Sequence, residues 1–255
     1  MPALKGVADE AFAPSAPSAV AAQFRRYAGR GIMRIVVTTT ILLLALVGSS
    51  PANPIILASE DIADSYEEAP ENLMAATNWL GLYVNATGSR VEAIRVNIIP
   101  HREQSQTVYN LITNPPNAEL LFSGVPLVSS GPALTVDRNM DLGPKKQVAE
   151  FRLGPRVYTI RLHSNNADLC DSVITLSDGS RTQKLFQRDA SSPHACDEPH
   201  FRVHWVGDID RDGRLDMLVT FSPKYSFFPR QLLLSSAARA DDIVSVVATY
   251  VRFAQ

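Results

Sequence analysis

The chain has 255 residues, room for one domain of about 200 residues or two small ones. Charged residues make up 20% and apolar ones 45%, so a real hydrophobic core is available. The formal net charge is −2, and the chain has no basic patch, which excludes nucleic acid as a partner.

Residues 1–32 are rich in Ala and Pro, and Ala13-Pro-Ser-Ala-Pro-Ser18 is disordered by composition. Met33-Arg34 then precedes an apolar run, Ile35 to Val47, which is followed by Gly48-Ser-Ser-Pro-Ala-Asn53. A positive flank, an apolar stretch and a small-residue exit make residues 33–52 a secretory signal peptide. Ser50 and Ala52 suit the −3 and −1 positions, with cleavage before Asn53. Translation from Met33 accounts for residues 1–32 as an upstream extension. Arg25-Arg26 matches a twin-arginine signal in those two residues alone, and no Cys follows the run to carry a lipid. The alternative is an uncleaved anchor, because the run up to Ala58 is long enough to span a membrane; Pro51 and Pro54 disfavour it. The expected location is periplasmic or secreted, with membrane contact only through the export signal.

Residues 53–77 read as a linker with short helices, one capped by Ser59 and one opened by Pro70. From Asn78 the period switches to two, and residues 78–255 read as one exported β domain with a sub-boundary near 140–147. Trp79–Val84 and Val91–Ile98 flank a turn at Asn85–Ser89. Thr107–Thr113 and Glu119–Phe122 are further strands, and Gly124–Val136 is loop-like. Val148–Leu153 and Arg156–His163 flank Gly154-Pro155, while Ser172–Leu176 and Arg181–Phe186 flank Asp178-Gly179, a strong hairpin signal. Gln231–Ser235 and Ile243–Phe253 close the chain. The fold class is mainly β: antiparallel hairpins forming a sandwich or two small packed β units, with a single Asp-rich metal loop between strands. No internal repeat supplies the blades of a propeller.

That loop is Trp205-Val-Gly-Asp-Ile-Asp-Arg-Asp-Gly-Arg-Leu-Asp-Met-Leu-Val219. Asp208, Asp210, Asp212 and Asp216 hold positions 1, 3, 5 and 9, and Gly213 holds position 6. Alternate carboxylates on a curling chain suit Ca²⁺, which takes 6–8 oxygen ligands. Arg214 at position 7 would add its backbone carbonyl. Four carboxylates so close repel one another, which makes a metal-free tight turn the costlier explanation. An EF-hand is excluded because position 12 is Val219 rather than Glu, and the flanks Phe201–Val206 and Leu215–Phe221 read as strands.

The segment resembles the calcium loop of FG-GAP and VCBS-type repeats, found in integrin α-subunits and many secreted bacterial proteins. Gly207, Asp208, Asp210, Asp212, Gly213 and Asp216 carry the resemblance, and Met217-Leu-Val219 matches the strand that follows. It implies Ca²⁺ held by the four aspartates and the Arg214 carbonyl in a strand-loop-strand. The chain after the signal is also similar to a group of exported bacterial proteins that share Trp79–Tyr83, the acidic loop and Leu234–Ala238. That likeness implies export and the calcium-type loop.

Cys170 and Cys196 are the two cysteines, and in an oxidising compartment they are expected to form a disulfide, stabilising by roughly 3 kcal/mol. The alternative is zinc bound by His194, Cys196, His200 and His204, whose spacings match no zinc pattern. Phe221, Tyr225, Phe227 and Phe228 follow the loop strand, either as core or as an aromatic ligand platform. No nucleophile elbow, zinc-protease motif, P-loop or dinucleotide fingerprint occurs. Two functions remain. One is a non-catalytic, calcium-stabilised exported β protein for interaction or envelope maintenance, with a protein or glycan ligand. The other is a periplasmic hydrolase with a site assisted by the metal or by His200 and His204.

Overall fold

The computed structural model describes residues 54–67, 70–164, 169–188, 196–224 and 226–253. The export signal, the extension before it, Glu68, His194 and Tyr225 lie outside the described residues. All described residues belong to one unit, Val47–Gln255.

The elements are β1 (Ile55–Ala58), α1 (Ser59–Ala63), β2 (Ser65–Tyr66), α2 (Glu71–Ala75), β3 (Leu80–Asn85), β4 (Gly88–Ala93), β5 (Arg95–Glu103) and β6 (Gln106–Asn114). There follow β7 (Leu120–Ser123), β8 (Gly131–Leu142), β9 (Val148–Leu153), β10 (Arg156–His163), β11 (Val173–Ser177) and β12 (Thr182–Gln187), with a 3-10 turn at Leu169–Asp171. The last four are β13 (His200–Asp208), β14 (Asp216–Ser222), β15 (Phe227–Leu234) and β16 (Ser245–Phe253). The fold is mainly β, and every pairing between these strands is antiparallel. Among the described residues, no helix is long and apolar enough to cross a membrane.

Nine strands form one sheet in the order β1-β7-β3-β4-β8-β13-β14-β15-β16. Its edge strands β1 and β16 pack against each other, so the sheet curls into a nearly closed barrel rather than the expected sandwich. Bulges account for the curl, because an extra residue in one strand increases local twist and bends the ladder. The extra residues are His204 on β13 against β14, Val136 on β8 against β13, and Val247 on β16 against β15. The interior is filled by Ile56, Leu82, Val91, Leu120, Phe122, Trp205, Leu218 and Leu232.

Two small sheets cover the outside. A four-stranded sheet, β12-β11-β10-β9, packs Phe151, Tyr158, Ile160 and Leu176 onto Val203, Met217, Val219 and Phe221. A three-stranded sheet, β2-β6-β5, packs Tyr66 and Leu111 onto Leu57, Tyr83 and Leu121. β1, β7 and β14 are therefore buried along their whole length, and their sequences are nearly continuous apolar runs. β9 covers only one face and alternates strictly between exposed and buried residues.

Two expectations are corrected. The loop-like segment Gly124–Val136 contains the start of β8, the long strand that joins β4 to β13. Gly131, Pro132 and few apolar residues at that end disguised it. The single strand Val91–Ile98 is two, broken at Ile94, with β4 in the nine-stranded sheet and β5 in the three-stranded one. Residues 53–77 hold the two short helices and also the edge strand β1. The turn joining Gly143 to Lys146, within the boundary region 140–147, leads from the large sheet into the four-stranded one.

Gly207 and Gly213 are constrained for different reasons. A Cβ on Gly207 would sit 1.8 Å from the Leu134 carbonyl oxygen and 2.4 Å from Trp205 Cζ2, so β8 could no longer approach β13. Gly213 has φ +75° and open space around its Cβ position. Gly213→Ala is expected to cost about 1–2 kcal/mol, the left-handed penalty alone. Gly207→Ala is expected to cost about 3 kcal/mol or more, because backbone must move. Urea unfolding of both variants checks the order, and a smaller loss in Gly207→Ala would contradict the packing described here.

Candidate metal loop and charged cleft

β13 and β14 form a hairpin in which Gly207 pairs with Asp216, so the acidic loop projects from one end of the barrel-like sheet. The chain winds around the Asp208 carboxylate. Its Oδ1 accepts hydrogen bonds from the N–H groups of Arg211 (2.7 Å) and Asp212 (3.1 Å), and its Oδ2 accepts from Gly213 (3.0 Å). Arg211 and Gly213 take φ values of 70° and 75°, which tightens the turn. Asp208, Asp210 and Asp216 each present a carboxylate oxygen, and the three oxygens lie within 4.8 Å of one another. This three-aspartate cluster could hold a metal ion.

Asp216 is fully buried. Its oxygens accept from the N–H groups of Ile209 and Ser235, each at 2.9 Å. Burial pushes its pKa up to about 7, reinforced by the negative charges of Asp210 and Asp212 and opposed by those two N–H groups. A carboxylate so placed takes up a proton or a cation. All the donors are oxygens, which suits a hard cation. Asp212 stands apart from the cluster: its Oδ2 accepts from Arg214 Nε (2.9 Å), and Ser235 Oγ lies 2.8 Å from the same oxygen. Ser236 donates to Asp210. Through these serines the turn after β15 forms a third wall of the loop.

The opposite end of β13 begins at His200. Eight steps of about 3.3 Å put roughly 25 Å between the two ends of this strand. There a cleft of about 820 Å³ opens between α1, the tip of the β5–β6 hairpin, and the ends of β13, β15 and β16. Its floor is a buried polar network. Asp61, with no exposed surface, accepts from Ala58 N–H (2.9 Å), from Arg230 Nε and Nη2 (both 2.9 Å) and from Arg252 Nη1 (3.0 Å). Arg230 Nη1 donates to Thr220 Oγ1 at 2.7 Å, and His204 Nε2 lies 2.9 Å from the same oxygen. Which of His204 Nε2 and the Thr220 hydroxyl donates depends on the His204 tautomer, and the other ring nitrogen is Nδ1. That atom is 2.9 Å from Glu60 Oε1, without the alignment of a hydrogen bond.

His204 is the extra residue of the β13 bulge, which turns its ring into this network. Burial lowers its pKa, and the positive charge of Arg230 adds to this, against the pull of Glu60. For Glu60, burial opposes ionisation, but the contact with His204 and the charge of Arg230 prevail and bring its pKa down to about 2. Sequence reasoning did not find Glu60, Asp61, Arg230 or Arg252, because their partners lie as many as 191 residues apart.

The other candidates sort as follows. Cys170 and Cys196 form the expected disulfide, with Cα atoms 5.7 Å apart, so neither sulfur is a thiolate zinc ligand. His200 lines the cleft. Phe221 is core, packed on Phe186 and Phe201. Phe228 is half-buried on the cleft wall, edge-to-face with His200 at 5.8 Å.

Two outcomes follow from the floor. Asp61→Ala leaves Arg230 buried without its carboxylate and is expected to cost about 3–5 kcal/mol in urea unfolding; a loss below 1 kcal/mol would show that the network carries no stability. Glu60 has a folded pKa below its ordinary value of 4.5, so its contribution is present above pH 4.5 and lost as pH falls towards about 2. Stability measured at pH 5 and pH 3 should therefore fall less in Glu60→Gln than in the wild type. Equal falls would contradict the assignment.

Comparison with known protein families, curated proteins and solved structures finds no match to this chain.

Proposed function

We propose that the protein is an exported, non-catalytic β module in which the loop binds one Ca²⁺ as a structural clamp, and in which the far end of the same barrel presents a ligand-binding cleft. Its role on this reading is interaction or envelope maintenance. The observation that carries the clamp is the convergence of Asp208, Asp210 and Asp216 within 4.8 Å, with Asp216 buried. Ca²⁺ is favoured over other hard cations by the resemblance to FG-GAP loops and by a flexible, all-oxygen donor set to which Asp212 and the Arg214 carbonyl would add. The ion would tie β13, β14 and the Ser235-Ser236 turn together and relieve the repulsion among the carboxylates.

A second reading, hydrolysis at the cleft, rests on Glu60 held ionised beside His204. Against assistance by the loop ion stands the separation of His204 from Asp208 along β13, four steps of about 3.3 Å or roughly 13 Å.

Thermal melting in EDTA and in millimolar calcium tests the clamp. At calcium tenfold above Kd the wild type is expected to gain roughly 1.4 kcal/mol, a rise of a few degrees in Tm. Asp210→Ala should abolish most of that response while leaving the calcium-free melt nearly unchanged. Asp216→Ala should also lower the calcium-free Tm, because it strips the acceptors from the Ile209 and Ser235 N–H groups. Identical wild-type melts in both conditions would reduce the loop to an acidic turn.

A further inference from the structure

We propose that the cleft at the His200 end of the barrel binds an organic cation, a ligand bearing primary ammonium or guanidinium groups. This gives a ligand class to the cleft and stands independently of the calcium loop. The argument starts from charge. Glu60, Asp64, Glu67 and Glu103 line the cleft together with Arg202, Arg230 and Arg252. Two of the three guanidiniums are fully engaged. Arg230 is held by Asp61, Thr220 and Glu60, and Arg252 by Asp61 and Asp64 while it lies over the Tyr66 ring. Arg202 is held more loosely: it lies 3.9 Å from Asp141, its Nη2 is 3.4 Å from Asn139 Oδ1, and its buried Nε has no hydrogen-bond partner. With Asp61 buried beneath the floor, carboxylates outnumber guanidiniums around the cavity, and burial lowers the pKa of the remaining basic group, His200.

The surplus is placed for recognition. Glu60 is about one-third exposed, and its carboxylate is oriented from below by His204 and Arg230, so little side-chain entropy is lost when a ligand donates to it. Glu103 stands on the tip of the β5–β6 hairpin, a different wall, which gives two negative poles for a ligand with two cationic ends. Phe228 adds a ring that already carries a guanidinium, Arg230, 5.8 Å from its centroid. A cavity of about 820 Å³ takes a polyamine or one or two basic residues of a peptide. An anion would meet the surplus carboxylates with Arg202 as the one loosely held guanidinium to receive it, and a neutral sugar would leave the surplus charge unpaired.

The experiment is isothermal titration of the full chain with spermidine, agmatine and a blocked Lys-Gly-Arg peptide, and with maltotriose and citrate as neutral and anionic controls. Each titration is run in excess calcium, which fills the acidic loop, and again in EDTA. Binding of at least one cationic probe is expected, with at least tenfold weakening in Glu103→Gln and in Glu60→Gln and none of the controls binding. Glu103 is exposed at a hairpin tip, so its variant keeps the fold even where Glu60→Gln fails to. Binding by the amines alone or by the peptide separates a free polyamine from a basic protein segment as the source. The proposal is overturned by absence of binding for every cation, by unchanged affinity in Glu103→Gln, by binding seen only when calcium is withheld, or by preference for maltotriose or citrate.

Discussion

The buried carboxylate of Asp61 closes the molecule. It follows β1, one edge of the nine-stranded sheet, and it holds Arg230 on β15 and Arg252 on β16, the other edge. Two packed edge strands need a reason to stay together when no ladder joins them, and a fully desolvated carboxylate between two guanidiniums supplies one. Desolvation of such ions offsets much of the attraction, so the network is better understood as fixing which edges meet than as a large net gain in stability. Every lone pair of Asp61 is used, by Ala58 N–H and by the two arginines, which is the condition under which buried charge is tolerated.

Around that closure an apolar interior lies between two polar sites. Trp205, Leu218 and Leu232 fill it, while His204, Thr220 and Arg230 place buried polar groups on β13, β14 and β15. At one end three aspartates converge. At the other, Glu60, His204, Thr220 and Arg230 form the floor of the cleft. Both ends use the same strands, β13, β14 and β15. A cation held at the acidic loop would therefore rest on the same strands that carry the cleft.

Much of this was legible in the residues. The four Asp at alternate positions with Gly213 marked the loop, because alternate residues of a tight curl tend to face the same side. Asp178-Gly179 marked its hairpin for the same local reason, and Cys170 and Cys196 had no other partner. β8 was illegible because Gly131 and Pro132 open it and the polar run Asp137-Arg-Asn139 interrupts it. β4 and β5 were read as one strand because a period of two does not say which sheet each residue joins.

The sequence by itself determined a mainly β chain, the acidic turn and the disulfide, since each depends on residues near one another or on simple elimination. Only the tertiary structure decided that the large sheet curls towards a barrel, that Asp212 turns to Ser235 and Arg214 while Asp208, Asp210 and Asp216 converge, and that Glu60 faces His204 across the cleft floor. The physical reason is range. Turn chemistry acts over a few residues, whereas a buried ion network joins groups such as Asp61 and Arg252, 191 residues apart, whose proximity exists only after the sheet has closed.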